Sequence, residues 1–182
     1  PLNLISGFPP PMSYSESPYG VGYKNTQLTT NSSTSELPEH ASYGPHNIVS
    51  FHNYDEGLAY AKKVNKPVMI DFTGKTCVNC RRMEEKVLSL PQVLPILKGD
   101  IVLISLYVDD RTPLPKDEIY ETANGKTIDT YGKKWSDFSI TKYKANIQPY
   151  YILMGHNEEN LNEPVGYTPD VEEYKAWLED GI

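Results

Sequence analysis

The chain has 182 residues, of which 38% are hydrophobic, with a mean hydropathy of -0.51 and a formal net charge of -7. That length suits one domain plus an extension and suffices to bury a real core. The acidic balance argues against nucleic acid as a partner, because phosphate binding needs a basic face, and no apolar run approaches the roughly 18 residues that cross a bilayer.

The chain starts at Pro1, without a methionine or signal peptide, so a fragment or processed product is expected. Residues 1–46 are rich in Pro, Ser, Thr, Asn, Gly and Tyr, including Phe8-Pro9-Pro10-Pro11 and Asn31-Ser32-Ser33-Thr34-Ser35. Such a segment has too little apolar surface to fold alone and reads as a linker, or as an arm that docks through Tyr14, Tyr19, Tyr23 and Tyr43.

From residue 47 to 182 the pattern is that of an α/β domain. Residues 48–51 form a short strand. Residues 55–64 form a helix with Leu58, Ala61 and Val64 on one face, ending before Pro67. Residues 68–72 are a buried-type strand. A helix is expected over 77–90, with Thr76 as its N-cap, and a short one over 91–97. Residues 101–108 give a second buried strand that runs into Asp109-Asp110. Residues 110–140, with Pro113, Pro115, Asn124-Gly125 and Gly132, read as a long irregular insertion containing one helical turn. Strands over 150–154 and 164–167 and a closing helix over 171–178 complete the chain.

Cys77 and Cys80 are the two cysteines of the chain, and they lie between a strand and a helix as Cys77-Val78-Asn79-Cys80. At a helix start the unpaired backbone N–H groups favour a thiolate, which makes the first cysteine a nucleophile near neutral pH. Lowering a thiol pKa from about 8.5 to about 7 raises the thiolate fraction at pH 7 from a few per cent to about half. The second cysteine, one turn on, is placed to attack a mixed disulfide formed by the first. A structural zinc site needs more ligands than His40, His46, His52 and His156 supply in any paired spacing. A purely structural disulfide closing so small a loop would stabilise little.

Helical spacing puts Cys77, Cys80, Glu84, Val87 and Leu88 on one side, and Arg81, Arg82, Glu85 and Lys86 on a solvated side. Glu84 then either reaches out to solvent or a lysine, or is a partly buried acid able to trade protons with the dithiol. Asp71 interrupts the apolar run Val68-Met69-Ile70 and Phe72, where a carboxylate is costly without a partner or a task. It would lie beneath the second cysteine, although a structural Asp satisfied by hydrogen bonds is the alternative. Gln148-Pro149 enters the strand over 150–154, where a trans edge proline is the ordinary reading.

Asp71-Phe72-x4-Cys77-x-x-Cys80, followed by Pro149 before a strand, resembles the thioredoxin superfamily. The stretch from Lys66 to Glu84, with Pro91-Gln92-Val93 and Tyr107-Val108-Asp109, is similar to the C-terminal periplasmic domains of DsbD, a thiol:disulfide interchange protein. The resemblance covers roughly residues 47–180. It implies a thioredoxin fold, a mixed β-sheet flanked by helices, in which Pro149 is cis and faces the disulfide. It further implies that Cys77 attacks, Cys80 resolves and Asp71 and Glu84 tune the pair, with Thr76, Val78, Asn79, Gln148 and Pro149 forming the docking surface. Thr76 stands where the family usually has Trp, and Asn79 where it has a small residue or Pro. The 110–140 insertion is long for the family, and thioredoxin itself has no counterpart of the arm.

The expected function is that of a protein-disulfide reductase, working without cofactor or metal. Electrons would come from a membrane-embedded donor, expected within the same full-length chain, and pass to periplasmic thioredoxin-like proteins. The domain would thus sit in the periplasm, tethered to the inner membrane. A free-standing periplasmic thioredoxin serving cytochrome c maturation, and a non-catalytic interaction module with a static CxxC clip, are the alternatives.

Overall fold

The computed structural model describes residues 37–182. The arm reading for 1–46 lies outside these residues up to position 36. From residue 37 onward the chain contributes to the fold, because Ala41–Tyr43 (β1) pairs antiparallel with Val49–Phe51 (β2) through Ala41↔Phe51 and Tyr43↔Val49.

Tyr54–Val64 (α1) comes next, capped by Asn53, whose side chain accepts from the N–H groups of Asp55 and Glu56. Val68–Thr73 (β3) is buried along its whole length. It leads through Gly74-Lys75-Thr76 into Val78–Met83 (α2), and the last turn of that helix opens into a π-turn at Glu84–Leu88. Leu94–Gly99 (α3) sits three residues later than the short helix predicted from Pro91, with Pro95 in its first turn, where its missing N–H costs nothing. Val102–Tyr107 (β4) pairs parallel with both β2 and β3. Tyr150–Met154 (β7) runs antiparallel on the other side of β3, and Val171–Asp180 (α5) closes the chain. The five-stranded sheet thus has the order β1-β2-β4-β3-β7.

The insertion is more regular than its sequence suggests. Tyr120–Glu121 (β5) and Thr127–Ile128 (β6) form a small hairpin, and Tyr131–Tyr143 (α4) is a helix of 13 residues that takes up the last third of the stretch read as irregular. Gly132, read as a breaker, is instead required for close approach. A Cβ there would lie 2.6 Å from the carbonyl oxygens of both Val108 and Asp110, so α4 starts hard against the exit of β4. Residues 164–167 do not make a fourth strand, since only Val165 pairs with Tyr151, as an isolated bridge beside Pro164.

Strand alternation sorts the core into two layers. Met69, Leu103, Tyr151 and Leu153 meet Met83, Val87, Leu97, Tyr174 and Leu178 from α2, the π-turn, α3 and α5. On the opposite face Ile70, Phe72, Ile104 and Ile152 meet Leu58 and Ala61 of α1 and Trp135 of α4. Each fully buried aliphatic or Phe side chain contributes about 1.5–3 kcal/mol relative to exposure. The first layer is the one that receives Asp71, because Asp71 shares the strand face of Met69. Among the described residues no helix is long and apolar enough to cross a membrane.

Candidate functional site

Cys77 and Cys80 form a closed disulfide with a Cα–Cα distance of 5.3 Å. The two sulfurs differ in access. Cys80 is 1% exposed, whereas Cys77 is only half-buried and is flanked by exposed Thr76 and half-buried Val78 and Asn79.

The N-cap of α2 is Cys77 and not Thr76. The Cys80 N–H donates to Cys77 Sγ at 3.1 Å, so the attacking sulfur itself takes one of the unpaired donors of the helix's first turn. Thr76 is held elsewhere. Its N–H and hydroxyl donate to Asp109 Oδ2 at 2.9 and 3.0 Å, and the Lys75 N–H donates to Asp109 Oδ1 at 3.0 Å. Burial pushes the Asp109 carboxyl up, but these donors outweigh it and hold its pKa below the ordinary carboxylate value. Asp109 therefore pins the loop that delivers Cys77. Sequence reasoning assigned it no role; its one signal was an acidic residue just past the buried strand that neighbours the cysteine loop.

Arg81 is a second correction. Expected on the solvated side of the helix, it is only 2% exposed, and its Nη2 donates to Glu84 Oε1 at 2.6 Å. Glu84 is buried, 7% exposed, and its partner is this arginine and not solvent or a lysine. Three-residue spacing puts Arg81 and Glu84 on neighbouring positions of the same helical face, and helix and π-turn bury that face.

Asp71 is 6% exposed and lies in register with Ser105 of β4 and Tyr151 of β7. Its Oδ1 and Glu84 Oε2 are both buried without a hydrogen-bond partner. Burial first, and then the charge of Glu84, push the Asp71 carboxyl up to about 8, against the pull of Arg81. Burial raises Glu84 to about 7, with Arg81 opposing and Glu85 assisting. The two acids line one cavity of about 20 Å³ together with His46, Ser50, Ser105 and Tyr107. That is room for about one water.

The Gln148–Pro149 peptide is cis. Tyr150 pairs with Phe72, so the register carries Pro149 to the end of β3 from which the cysteine loop departs. Pro149 is buried and Gln148 half-buried, and Ile147 beside them is 52% exposed. Among the described residues no group of three or more His, Cys, Asp or Glu could hold a metal ion.

This sheet order, with the cysteine pair at the start of the helix after β3 and the cis proline before β7, has a counterpart among known families: residues 54–182 match the thioredoxin-like domain. The chain belongs to the thioredoxin-like family. Among solved structures, a DsbH oxidoreductase superposes with a TM-score of 0.52 at 17% identity, over 86% of this chain and 94% of that one. A thioredoxin from Thermus thermophilus gives a TM-score of 0.50 at 21% identity, over 70% of this chain and 82% of that one. The oxidised C-terminal domain of DsbD from Neisseria meningitidis gives 0.45 at 15% identity, over 70% and 91%. No curated protein matches the sequence. The thioredoxin-like domain is thus a disulfide-oxidoreductase fold carrying a Cys-x-x-Cys pair.

Proposed function

We propose that this thioredoxin-like domain is a protein-disulfide reductase, which takes electrons from a membrane-embedded donor and passes them to periplasmic disulfide proteins of thioredoxin type. The observation that carries the reductase chemistry is the asymmetry of the pair: Cys77 is half-buried at the helix tip, whereas Cys80 is buried. Reduced Cys77, as thiolate, attacks a partner disulfide, forming a mixed disulfide and releasing one partner sulfur. Cys80 then gives up its proton and attacks Cys77 Sγ. The intramolecular disulfide forms, the bond to the partner breaks, and the second partner sulfur leaves as a thiolate that is protonated from solvent. Two electrons have moved from the domain to the partner.

Support for the DsbD-like donor, acceptors and location comes from the Lys66-to-Glu84 stretch and the Tyr107-Val108-Asp109 strand end, which resemble DsbD C-terminal periplasmic domains. Exposed Thr76 and Ile147 and half-buried Val78, Asn79 and Gln148 offer mixed polar and apolar surface on which an extended partner segment can dock.

The test is reduction of insulin disulfides by the reduced domain, joined to trapping with Cys80→Ser. The variant is expected to retain partners covalently at Cys77, and iodoacetamide is expected to label Cys77 of the reduced wild type well before Cys80. Equal labelling of both cysteines together with no insulin reduction would leave the pair a static clip.

A further inference from the structure

The dithiol chemistry above needs a place for the Cys80 proton, and the residue that prepares that place is one the chemistry itself does not touch. We propose that Arg81 is a positioning residue for thiol–disulfide exchange: its buried guanidinium fixes Glu84 as a carboxylate, so that the Asp71–Glu84 pair holds one proton and keeps one acceptor oxygen for Cys80. This rests on the reductase reading of the site.

Geometry and electrostatics both single out Arg81. Arg81 and Glu84 are both buried and joined at 2.6 Å, and Asp71 and Glu84 each leave one oxygen without a partner at a shared cavity. An arginine keeps its charge at any ordinary pH. With it in place, one ionised acid makes the cluster neutral, while two leave an uncompensated negative charge in the protein interior, which is costly. The direct partner of the guanidinium is the acid that ionises, so the remaining proton sits on Asp71. The ordering of the two acids, Glu84 at about 7 and Asp71 at about 8, agrees with this.

Of the described groups that face the acids, Arg81 is the one with a fixed positive charge. The groups facing the acids from other elements are Tyr151 of β7, Tyr174 of α5, Tyr107 of β4 and His46 of the loop before β2. Tyr151 and Tyr174 are fully buried and held far above their ordinary pKa by desolvation, so they remain neutral phenols. Glu84 lies one helical turn after Cys80, its N–H bonded to the Cys80 carbonyl. In the resolving step the Cys80 S–H proton passes to the free oxygen of the acid pair as the Cys80 sulfur displaces the partner from Cys77. Reduction of the disulfide later returns that proton to a cysteine sulfur.

Stopped-flow reaction of the reduced domain with dithiobis(nitrobenzoate) separates the steps, because attack by Cys77 releases the first nitrothiobenzoate and resolution by Cys80 the second. Arg81→Met is expected to leave the first phase near wild type and to move the rise of the second-phase rate to alkaline pH by about one unit or more, which is about tenfold slower at neutral pH. Arg81→Lys, which keeps the charge, is expected to restore most of it. A folded Arg81→Met with the wild-type pH profile overturns the proposal.

Infrared detection of protonated carboxyl groups tests the charge state in the resting, oxidised domain. It does not depend on whether the domain reduces anything, and it serves if Arg81→Met does not fold. One buried protonated carboxyl is expected at neutral pH, and Asp71→Asn is expected to abolish it. Its persistence in Asp71→Asn would place the proton on Glu84 and overturn the proposal, even where insulin reduction succeeds.

Discussion

Replacing Asp71 by Asn is expected to stabilise the oxidised domain, and to do so in a way that grows with pH. The Asp71 carboxyl is fully buried and its pKa rises from 3.8 to about 8 on folding. Because the folded value is above the unfolded one, the folded state binds the extra proton. The contribution of Asp71 to stability is therefore fully present below about pH 4 and is lost as pH rises through about 8. At about 1.4 kcal/mol per unit, a bit over three units separate the unfolded value from pH 7, which gives an upper bound of about 4 kcal/mol. The amide of Asn is itself buried at a site where Oδ1 has no partner, and an unpaired buried polar group costs about 1–3 kcal/mol. The net expectation is a gain of about 1–3 kcal/mol over wild type at pH 7, falling away as pH is lowered toward 4, where the amide cost alone remains. Urea unfolding of both oxidised proteins across pH 4 to 9 measures it. A difference that is flat with pH, or that turns against the variant as pH rises, would refute the reasoning, since a hydrogen-bonded structural carboxylate would behave that way.

Asp109→Ala removes three hydrogen bonds to the cysteine loop. Their donors are exposed, so about 1–2 kcal/mol of destabilisation is expected by urea unfolding, with slower attack by Cys77. Because the Asp109 pKa is lowered on folding, the stabilisation is present above the ordinary carboxylate pKa of about 4 and lost as pH falls through the folded value; a loss unchanged in acid would contradict this. Gly132→Ala should cost several kcal/mol, on the order of 3, because the new Cβ meets backbone oxygens that cannot yield; a thermal midpoint within a degree or two of wild type would exclude the clash.

Much of the frame was legible because it obeys local rules. A short apolar run bounded by Pro67 and Gly74 and broken by Asp71 alone reads as a strand buried on both faces, and β3 is that strand. The two cysteines and the helix after them come from spacing, which also puts Glu84 on the face of Cys80 but leaves open whether it turns to solvent. The helix α4 was also written in the sequence, since Tyr131, Trp135 and Phe138 repeat at helical spacing after the N-cap Thr130. Pro113, Pro115 and Gly132 masked it: a glycine that breaks a free helix is here demanded by the carbonyls of Val108 and Asp110.

The remaining features belong to tertiary structure, because each depends on what lies across a gap that the chain closes only when folded. Whether Arg81 faces water or protein depends on how α2 and its π-turn sit on the sheet, and helical periodicity alone assigned it to solvent. Asp109 reaches Lys75 and Thr76 across 33 to 34 residues of sequence, by virtue of the parallel register of β3 and β4. The sequence by itself determined that a dithiol would sit at the start of a helix after a buried strand, since both are local consequences of residue type and spacing. The assembled fold decided which charges surround that dithiol, since a buried charge is set by the partners and the dielectric that packing brings to it.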